Sequence, residues 1–96
     1  MREYEVTIIF QPELTDDDRG QLMERVQGWM APPEGELQAE TDEWGMRQLA
    51  YPIRDFRQGY YVYIEASLDP SQIGEIERNL QYNDDVLRYL FVRKSS

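Results

Sequence analysis

The sequence predicts an α+β fold in which two helices cover one face of a four-stranded antiparallel sheet. Several segments alternate between apolar and polar residues, as strands do, and two others carry apolar residues at helical spacing after a capping residue. These segments follow one another as strand, helix, strand, strand, helix, strand. Because 96 residues with 41% hydrophobic content suffice for one core, a single domain is expected over residues 1–96.

The first strand is predicted over residues 2–10, where apolar side chains occupy alternate positions. Even-numbered residues from Tyr4 to Phe10 are expected to face the core. A helix then begins after Thr15, a good N-cap followed by three aspartates that suit the positive end of the helix dipole. The prolines at 32–33 are expected to end it. The apolar stripe that this helix buries consists of Leu22, Val26, Trp29 and Met30.

The second strand is predicted from about Glu36 to Ile53, and its length indicates a bulge or bend at Trp44-Gly45. Residues 55–59 are interpreted as the turn that follows. The third strand, residues 60–68, again alternates between apolar and polar side chains.

The second helix has a clear predicted start. Asp69 is the expected N-cap, Pro70 suits the first helical position, and Gln72 lies where a capping box has its glutamine. Its buried stripe is Ile73, Ile76 and Leu80, and a last strand is predicted from Val86 to Arg93. Two right-handed crossovers in this order give the ferredoxin-like arrangement, with both helices on one sheet face.

Such a fold leaves the other sheet face without a helix over it. An uncovered face that carries apolar and aromatic side chains favours a binding partner. The side chains expected on this face are Glu5, Thr7, Ile9, Tyr61, Tyr63, Glu65, Arg88, Leu90 and Val92.

The composition argues against an enzyme. The chain has neither cysteine nor histidine, which removes the most common general base and metal ligand as well as thiolate chemistry. The aspartates at 16–18 lack the glycine and downstream ligand of a calcium loop, so helix capping explains them better. No catalytic residue, cofactor or metal site is predicted. The first residues mix charges and lead to a short apolar run, so neither a signal peptide nor a membrane span is expected, and the protein is predicted to be cytoplasmic.

The charge is strongly acidic overall but unevenly distributed. The net charge of −9 argues against binding to nucleic acid by the whole surface. Residues 44–63, however, carry +2 and hold six of the twelve aromatic residues. Arginine and aromatic side chains together favour contact with RNA, although tyrosines are also ordinary strand residues.

Residues 44–53, Trp-Gly-Met-Arg-Gln-Leu-Ala-Tyr-Pro-Ile, closely resemble the second-strand signature of the family of bacterial ribosomal protein six of the small subunit. Residues 1–5, 59–61 and 83–89 are similar to the family's start, its third-strand entry and its approach to the last strand. The similarity covers nearly the whole chain in the right order.

The resemblance implies a ferredoxin-like structural protein of the ribosome with no reaction or cofactor. It also implies that the chain pairs with ribosomal protein eighteen of the small subunit and docks with it on the central domain of small-subunit ribosomal RNA. The residues expected to contact RNA on this basis are Arg2, Arg47, Tyr51, Arg54, Arg88 and Arg93. Those expected to contact the protein partner are Glu5, Ile9, Tyr61, Tyr63, Glu65 and Leu90, with Glu3 as a further candidate.

Met46 and Gln48 depart from the family's pattern, because many relatives are basic at these positions. A basic partner that bridges an acidic sheet to RNA would reconcile the net charge with a ribosomal role. The chain is accordingly expected to be a monomer outside the ribosome, with no membrane or small-molecule substrate.

Three alternatives remain open from the sequence. A small enzyme resembling the acylphosphatases needs a phosphate-binding loop after the first strand, but residues 11–14 contain neither glycine nor arginine. An RNA-recognition module needs aromatic residues on both central strands, whereas the first strand offers Glu5 and Thr7. For a metabolite-binding regulatory domain, nothing in the sequence is diagnostic.

Overall fold

The computed structural model describes residues 1–94 and has the predicted order of elements. Its strands lie in the order β2-β3-β1-β4, and each paired neighbour is antiparallel, which confirms the ferredoxin-like prediction. The elements are β1 (Arg2–Phe10), α1 (Asp16–Met30), β2 (Gln38–Ile53), β3 (Phe56–Leu68), α2 (Ile73–Tyr82) and β4 (Val86–Arg93), with a 3₁₀ turn over Pro70–Gln72 before α2.

One hydrophobic core lies between the sheet and the two helices. The predicted inward residues of β1 are confirmed, since Tyr4, Val6, Ile8 and Phe10 are buried. The core continues in α1, β3 and α2 with Leu22, Met23, Val26, Met30, Val62, Ile64, Ala66, Leu68, Ile76 and Leu80. Within residues 1–94, neither helix is long and apolar enough to cross a membrane.

Both predicted N-caps are confirmed. The Asp18 backbone N–H donates to Thr15 Oγ1 at 3.1 Å, and the Ser71 backbone N–H donates to Asp69 Oδ1 at 3.0 Å. The capping box at Gln72 was wrong, because its side-chain oxygen is buried without a hydrogen-bond partner among the described residues. The tight turn over residues 70–72 lets Ser71, and not Gln72, satisfy Asp69.

The predicted bulge in β2 is confirmed. The pairing of β2 with β3 shifts between Glu43 and Gly45, and Gly45 adopts a φ of 84°, which glycine tolerates without strain.

The predicted turn over residues 55–59 was wrong, because the chain reverses earlier. Arg54 and Asp55 have φ values of 47° and 68°, as in the primed two-residue turns whose twist matches a hairpin. Strand pairing therefore resumes at Phe56, opposite Ile53, and β3 begins four residues before the predicted Tyr60.

Candidate binding surface

The sheet face away from the helices, here called the open face, is organised in cross-strand rows. Pairing aligns Glu40, Glu65, Glu5 and Val92 in one row. The next row contains Asp42, Tyr63, Thr7 and Leu90, and the row after it contains Gly45, Tyr61, Ile9 and Arg88. The open face therefore carries the side chains that the sequence predicted.

One half of this face concentrates negative charge. We define the acidic half as Glu5, Glu40, Asp42 and Glu65, which lie on the three adjoining strands β1, β2 and β3. Glu65 lies directly opposite both Glu5 and Glu40, an arrangement that costs folding stability because like charges face each other. Among the described residues, Lys94 Nζ approaches Glu65 Oε2 at 3.4 Å. The acidic half thus retains an excess of negative charge that a cationic partner can neutralise.

An aromatic pair lies beside the acidic half. The rings of Trp44 and Tyr63 stack with centroids 5.2 Å apart and planes 11° from parallel. The indole N–H of Trp44 donates to Asp42 Oδ2 at 3.1 Å. Trp44 is still 44% exposed, so this pair offers a flat apolar surface next to the carboxylates.

Tyr63 is held in its neutral form by its surroundings. Its hydroxyl donates to Glu65 Oε1 at 3.2 Å. Loss of solvation, the hydrogen bond to Glu65 and the negative charges of Glu5 and Glu65 together raise the pKa of Tyr63 to about 12. At neutral pH this side chain is therefore a hydrogen-bond donor within an acidic environment.

The far end of the β2–β3 hairpin reaches across the open face to β4. The Arg88 guanidinium donates to the Tyr51 hydroxyl and lies 5.2 Å from the centroid of the Tyr51 ring. Arg54 Nη2 donates to the backbone oxygen of Val86 at 2.8 Å. Both contacts join the hairpin to a strand that lies two positions away from β3 in the sheet. The hairpin end and the start of β4 therefore form one cationic surface.

This crossing hairpin buries part of the open face. Ile9 is 7% exposed and Leu49 is 8% exposed. Gly59 lies between them, and a Cβ atom at Gly59 would collide with Ile9 Cγ2. The expectation that Ile9 is exposed was therefore wrong, because the end of the hairpin covers it.

The opposite face of the hairpin is braced against α1. The Arg19 guanidinium lies 4.2 Å from the centroid of the Tyr60 ring, and the Tyr60 hydroxyl donates to Glu43 Oε1 at 2.9 Å. Burial of the hydroxyl and its bond to Glu43 raise the pKa of Tyr60. The hairpin is thus held on both faces.

The six residues predicted to contact RNA fall into two groups. Arg47, Tyr51, Arg54 and Arg88 lie on the hairpin and at the start of β4. Arg2 and Arg93 lie at the opposite end of the sheet, on β1 and β4, and both are exposed. Arg47 is exposed, with its guanidinium 5.9 Å from the Trp44 centroid. The structure does not bring the six into one site.

The residues predicted to contact the protein partner differ in accessibility. Leu90 is 59% exposed, whereas Tyr61, Tyr63, Glu5 and Glu65 are half-buried. Ile9 is withdrawn from this surface, as described above. Val92, next to Leu90 on the same face, is 46% exposed and extends the apolar strip along β4.

Sequence reasoning missed the contribution of Trp44, Asp42 and Glu40 to this surface. The sequence did contain a signal for their shared face, because these three residues occupy alternating positions of β2 before the glycine of the bulge. Their faces became clear only once the register of β2 against β3 was known. No group of three or more His, Cys, Asp or Glu residues within residues 1–94 is placed to hold a metal ion.

The family model described as ribosomal protein S6 matches residues 3–93. Similar curated proteins carry the name small ribosomal subunit protein bS6. The one from Caldanaerobacter subterraneus is 40% identical over 93 residues, which cover 97% of this chain and 97% of that protein. The one from Desulforudis audaxviator is 35% identical over 94 residues, covering 98% and 99%.

A third relative, from Desulfatibacillum aliphaticivorans, is 39% identical over 93 residues, and there the chain spans about half the length of the relative. Among solved structures, the crystal structure of 30S ribosomal protein S6 from Thermotoga maritima superposes with a TM-score of 0.86 at 26% identity. That match covers 97% of this chain and 87% of the other.

Proposed function

The chain belongs to the ribosomal protein S6 family, and on that basis we propose that it binds the central domain of small-subunit ribosomal RNA together with ribosomal protein eighteen. Family membership makes it a structural, non-enzymatic component of the small subunit of the cytoplasmic ribosome. The two binding partners are the part that we propose.

The observation that carries this proposal is the separation of charge on the open face. The acidic half occupies one end of β1, β2 and β3, and the arginines of the hairpin end occupy the other. A surface divided in this way suits two partners of opposite charge, because complementary potentials orient association and disfavour wrong partners.

Ribosomal protein eighteen is proposed to occupy the acidic half and the neighbouring apolar strip. Lysine or arginine side chains of that protein pair with Glu5 and Glu65, while Leu90 and the Tyr61 and Tyr63 rings supply apolar contact. Directly opposed carboxylates are retained here at a cost in folding stability, which a basic partner recovers on binding.

The RNA is proposed to contact the cationic hairpin end and, separately, Arg2 and Arg93. Guanidinium groups bind phosphate oxygens through two parallel hydrogen bonds, and each neutralised phosphate releases counterions. With a net charge of −9, the isolated chain repels RNA at long range. Strong RNA binding therefore depends on the bound basic partner.

The alternative of a base-stacking module is less well supported. Such a module presents free aromatic rings on both central strands, here β1 and β3. On β1 the open face carries Glu5 and Thr7, and the Tyr63 ring on β3 is already stacked by Trp44.

A charge-reversal titration tests the partner assignment. We expect Glu5→Lys to weaken calorimetrically measured binding of ribosomal protein eighteen by about tenfold or more, because it places a cation within the surface for a basic partner. Glu24→Lys, the same change at an exposed position of α1, is the control and is expected to leave the affinity unchanged. Equal affinities for the two variants would contradict the proposed surface.

A further inference from the structure

The bulge at Gly45 determines which side chains of β2 lie on the open face. Before the bulge, Asp42 pairs with Tyr63, so the even-numbered residues of β2 lie on this face. After the bulge, Gly45 pairs with Tyr61, so the odd-numbered residues lie there instead. Because successive side chains of a strand alternate in direction, a regular strand would direct Arg47 toward the helices. The bulge therefore brings Arg47 onto the same face as the acidic half.

The side chain of Trp44 lies at this bulge and contacts residues on both sides of it. On the side of the acidic half, its ring stacks on the Tyr63 ring with centroids 5.2 Å apart, and its indole N–H donates to Asp42 Oδ2 at 3.1 Å. On the other side, the Arg47 guanidinium lies over the indole, 5.9 Å from its centroid. The indole therefore joins the acidic half to the first arginine of the hairpin end.

Two contacts fix the orientation of the indole, and each restricts a different motion. Stacking on Tyr63 keeps the two rings nearly parallel, at 11°, and the hydrogen bond to Asp42 restricts rotation of the indole within its own plane. The Tyr63 ring is restricted in turn, because its hydroxyl donates to Glu65 Oε1 at 3.2 Å. Trp44 therefore offers Arg47 an electron-rich ring in a fixed position, at the limit of about 6 Å over which a ring attracts a cation.

Restriction of the Arg47 side chain before binding favours contact with a phosphate. A long side chain loses rotamer freedom when it is immobilised by a ligand, and one that is already restricted loses less. The planar guanidinium also needs a defined direction to form two parallel hydrogen bonds with phosphate oxygens. Arg47 is exposed, so a phosphate can reach it while it lies over the indole.

We propose that Trp44 is a positioning residue that holds Arg47 toward RNA phosphate and holds Tyr63 within the surface for the protein partner. The inference rests on the proposed function for the identity of the two partners, but the contacts that it requires are present in the free chain. Loss of the indole should therefore impair both surfaces at once, through its neighbours.

The free chain tests the positioning without any partner. In Trp44→Ala, the guanidinium NMR resonances of Arg47 are expected to lose their ring-current shift, and the pKa of Tyr63 is expected to fall because its ring is better solvated. Trp44→Phe keeps a ring for stacking and should restore most of both signals. Met46→Ala is the control, because Met46 is exposed to the same degree as Trp44, 46% against 44%, but lies on the other face of β2. Arg47 and Tyr63 signals that do not change in Trp44→Ala would overturn the proposal.

Assembly on labelled central-domain RNA with ribosomal protein eighteen tests whether the positioning matters for binding. Trp44→Ala is expected to weaken assembly by about threefold or more, and Arg47→Ala is expected to have less effect in the Trp44→Ala background than in the wild-type chain. Equal effects of Arg47→Ala in the two backgrounds would overturn the link between Trp44 and Arg47. A wild-type chain that does not assemble on RNA with the partner would contradict the proposed function instead, and the signals of the free chain would then decide whether Trp44 positions its neighbours.

Discussion

Arg88 and Tyr51 contact each other across the open face, although one lies on the edge strand β4 and the other on the opposite edge strand β2. The contact combines a hydrogen bond from the guanidinium with a cation–π approach of 5.2 Å to the ring centroid. It exists because the end of the β2–β3 hairpin bends over β1. The same bend buries Ile9 and Leu49.

The Arg88–Tyr51 contact is expected to contribute a measurable coupling energy. In a double-mutant cycle with Tyr51→Ala and Arg88→Ala, the free energies of unfolding should be non-additive by about 0.5–1 kcal/mol, as for exposed cation–π pairs. Denaturant melts of the four proteins measure this. A second cycle with Tyr51→Ala and Arg25→Ala is the control, because Tyr51 lies on β2 and Arg25 lies on α1, on the other side of the sheet. Coupling of the same size in that cycle would show that the effect is not specific to the Arg88–Tyr51 contact.

Gly59 is expected to be intolerant of any side chain. Gly59→Ala places a Cβ atom against Ile9 Cγ2, under the bent hairpin, and should lower the free energy of unfolding by about 1–3 kcal/mol. Gly20→Ala makes the same change within α1, where a Cβ atom meets nothing within 4 Å, and should be neutral or stabilising by up to about 1 kcal/mol. Equal denaturation midpoints for the two variants would mean that the hairpin does not pack on β1 as described.

Much of this arrangement follows from local sequence signals. The faces of β1 and β3, the bulge at Gly45 and the caps at Thr15 and Asp69 each depend on a few neighbouring residues, so periodicity and capping rules predicted them. The burial of Ile9, the Arg54 contact to β4 and the Trp44–Tyr63 stack depend on where a long hairpin bends and on its register. Those are properties of distant pairings, which no short pattern in this sequence specifies.

The raised pKa of Tyr63 predicts how folding stability changes in alkaline solution. Its pKa in the folded chain is raised to about 12, above the ordinary value of 10.0, so the folded state binds this proton more tightly than the unfolded state. The resulting contribution to stability is fully present below about pH 10 and is lost as the pH rises toward 12. Spectroscopic titration of tyrosinate should show that Tyr63→Phe removes a late-ionising group, and a titration curve that Tyr63→Phe leaves unchanged would contradict this expectation.

Glu65→Gln extends this test. It removes one negative charge beside Tyr63 and should lower the pKa of its hydroxyl, although loss of solvation, the largest cause of the shift, remains. A Tyr63 pKa that is unchanged in Glu65→Gln would show that the hydroxyl and this carboxylate do not interact.

Substitution of Arg47 distinguishes an RNA-binding role of this side chain from a structural one. The side chain is exposed, and its guanidinium lies 5.9 Å from the centroid of the Trp44 ring. Arg47→Ala should therefore change the free energy of unfolding by no more than about 0.5 kcal/mol. If Arg47 pairs with a phosphate, the variant should assemble more weakly on RNA with the partner and lower the salt slope by about one unit. Arg25→Ala on α1 is the matched control. A large loss of folding stability with normal assembly of the folded fraction would make Arg47 a structural residue of β2.

Binding of labelled central-domain ribosomal RNA, titrated with and without ribosomal protein eighteen, is the measurement that tests the proposed function most directly. The acidic chain alone should bind weakly, because its net charge of −9 repels phosphate, and addition of the basic partner should tighten binding by at least about tenfold. Tight binding by the isolated chain with a steep salt dependence, or no gain on adding the partner, would contradict the account.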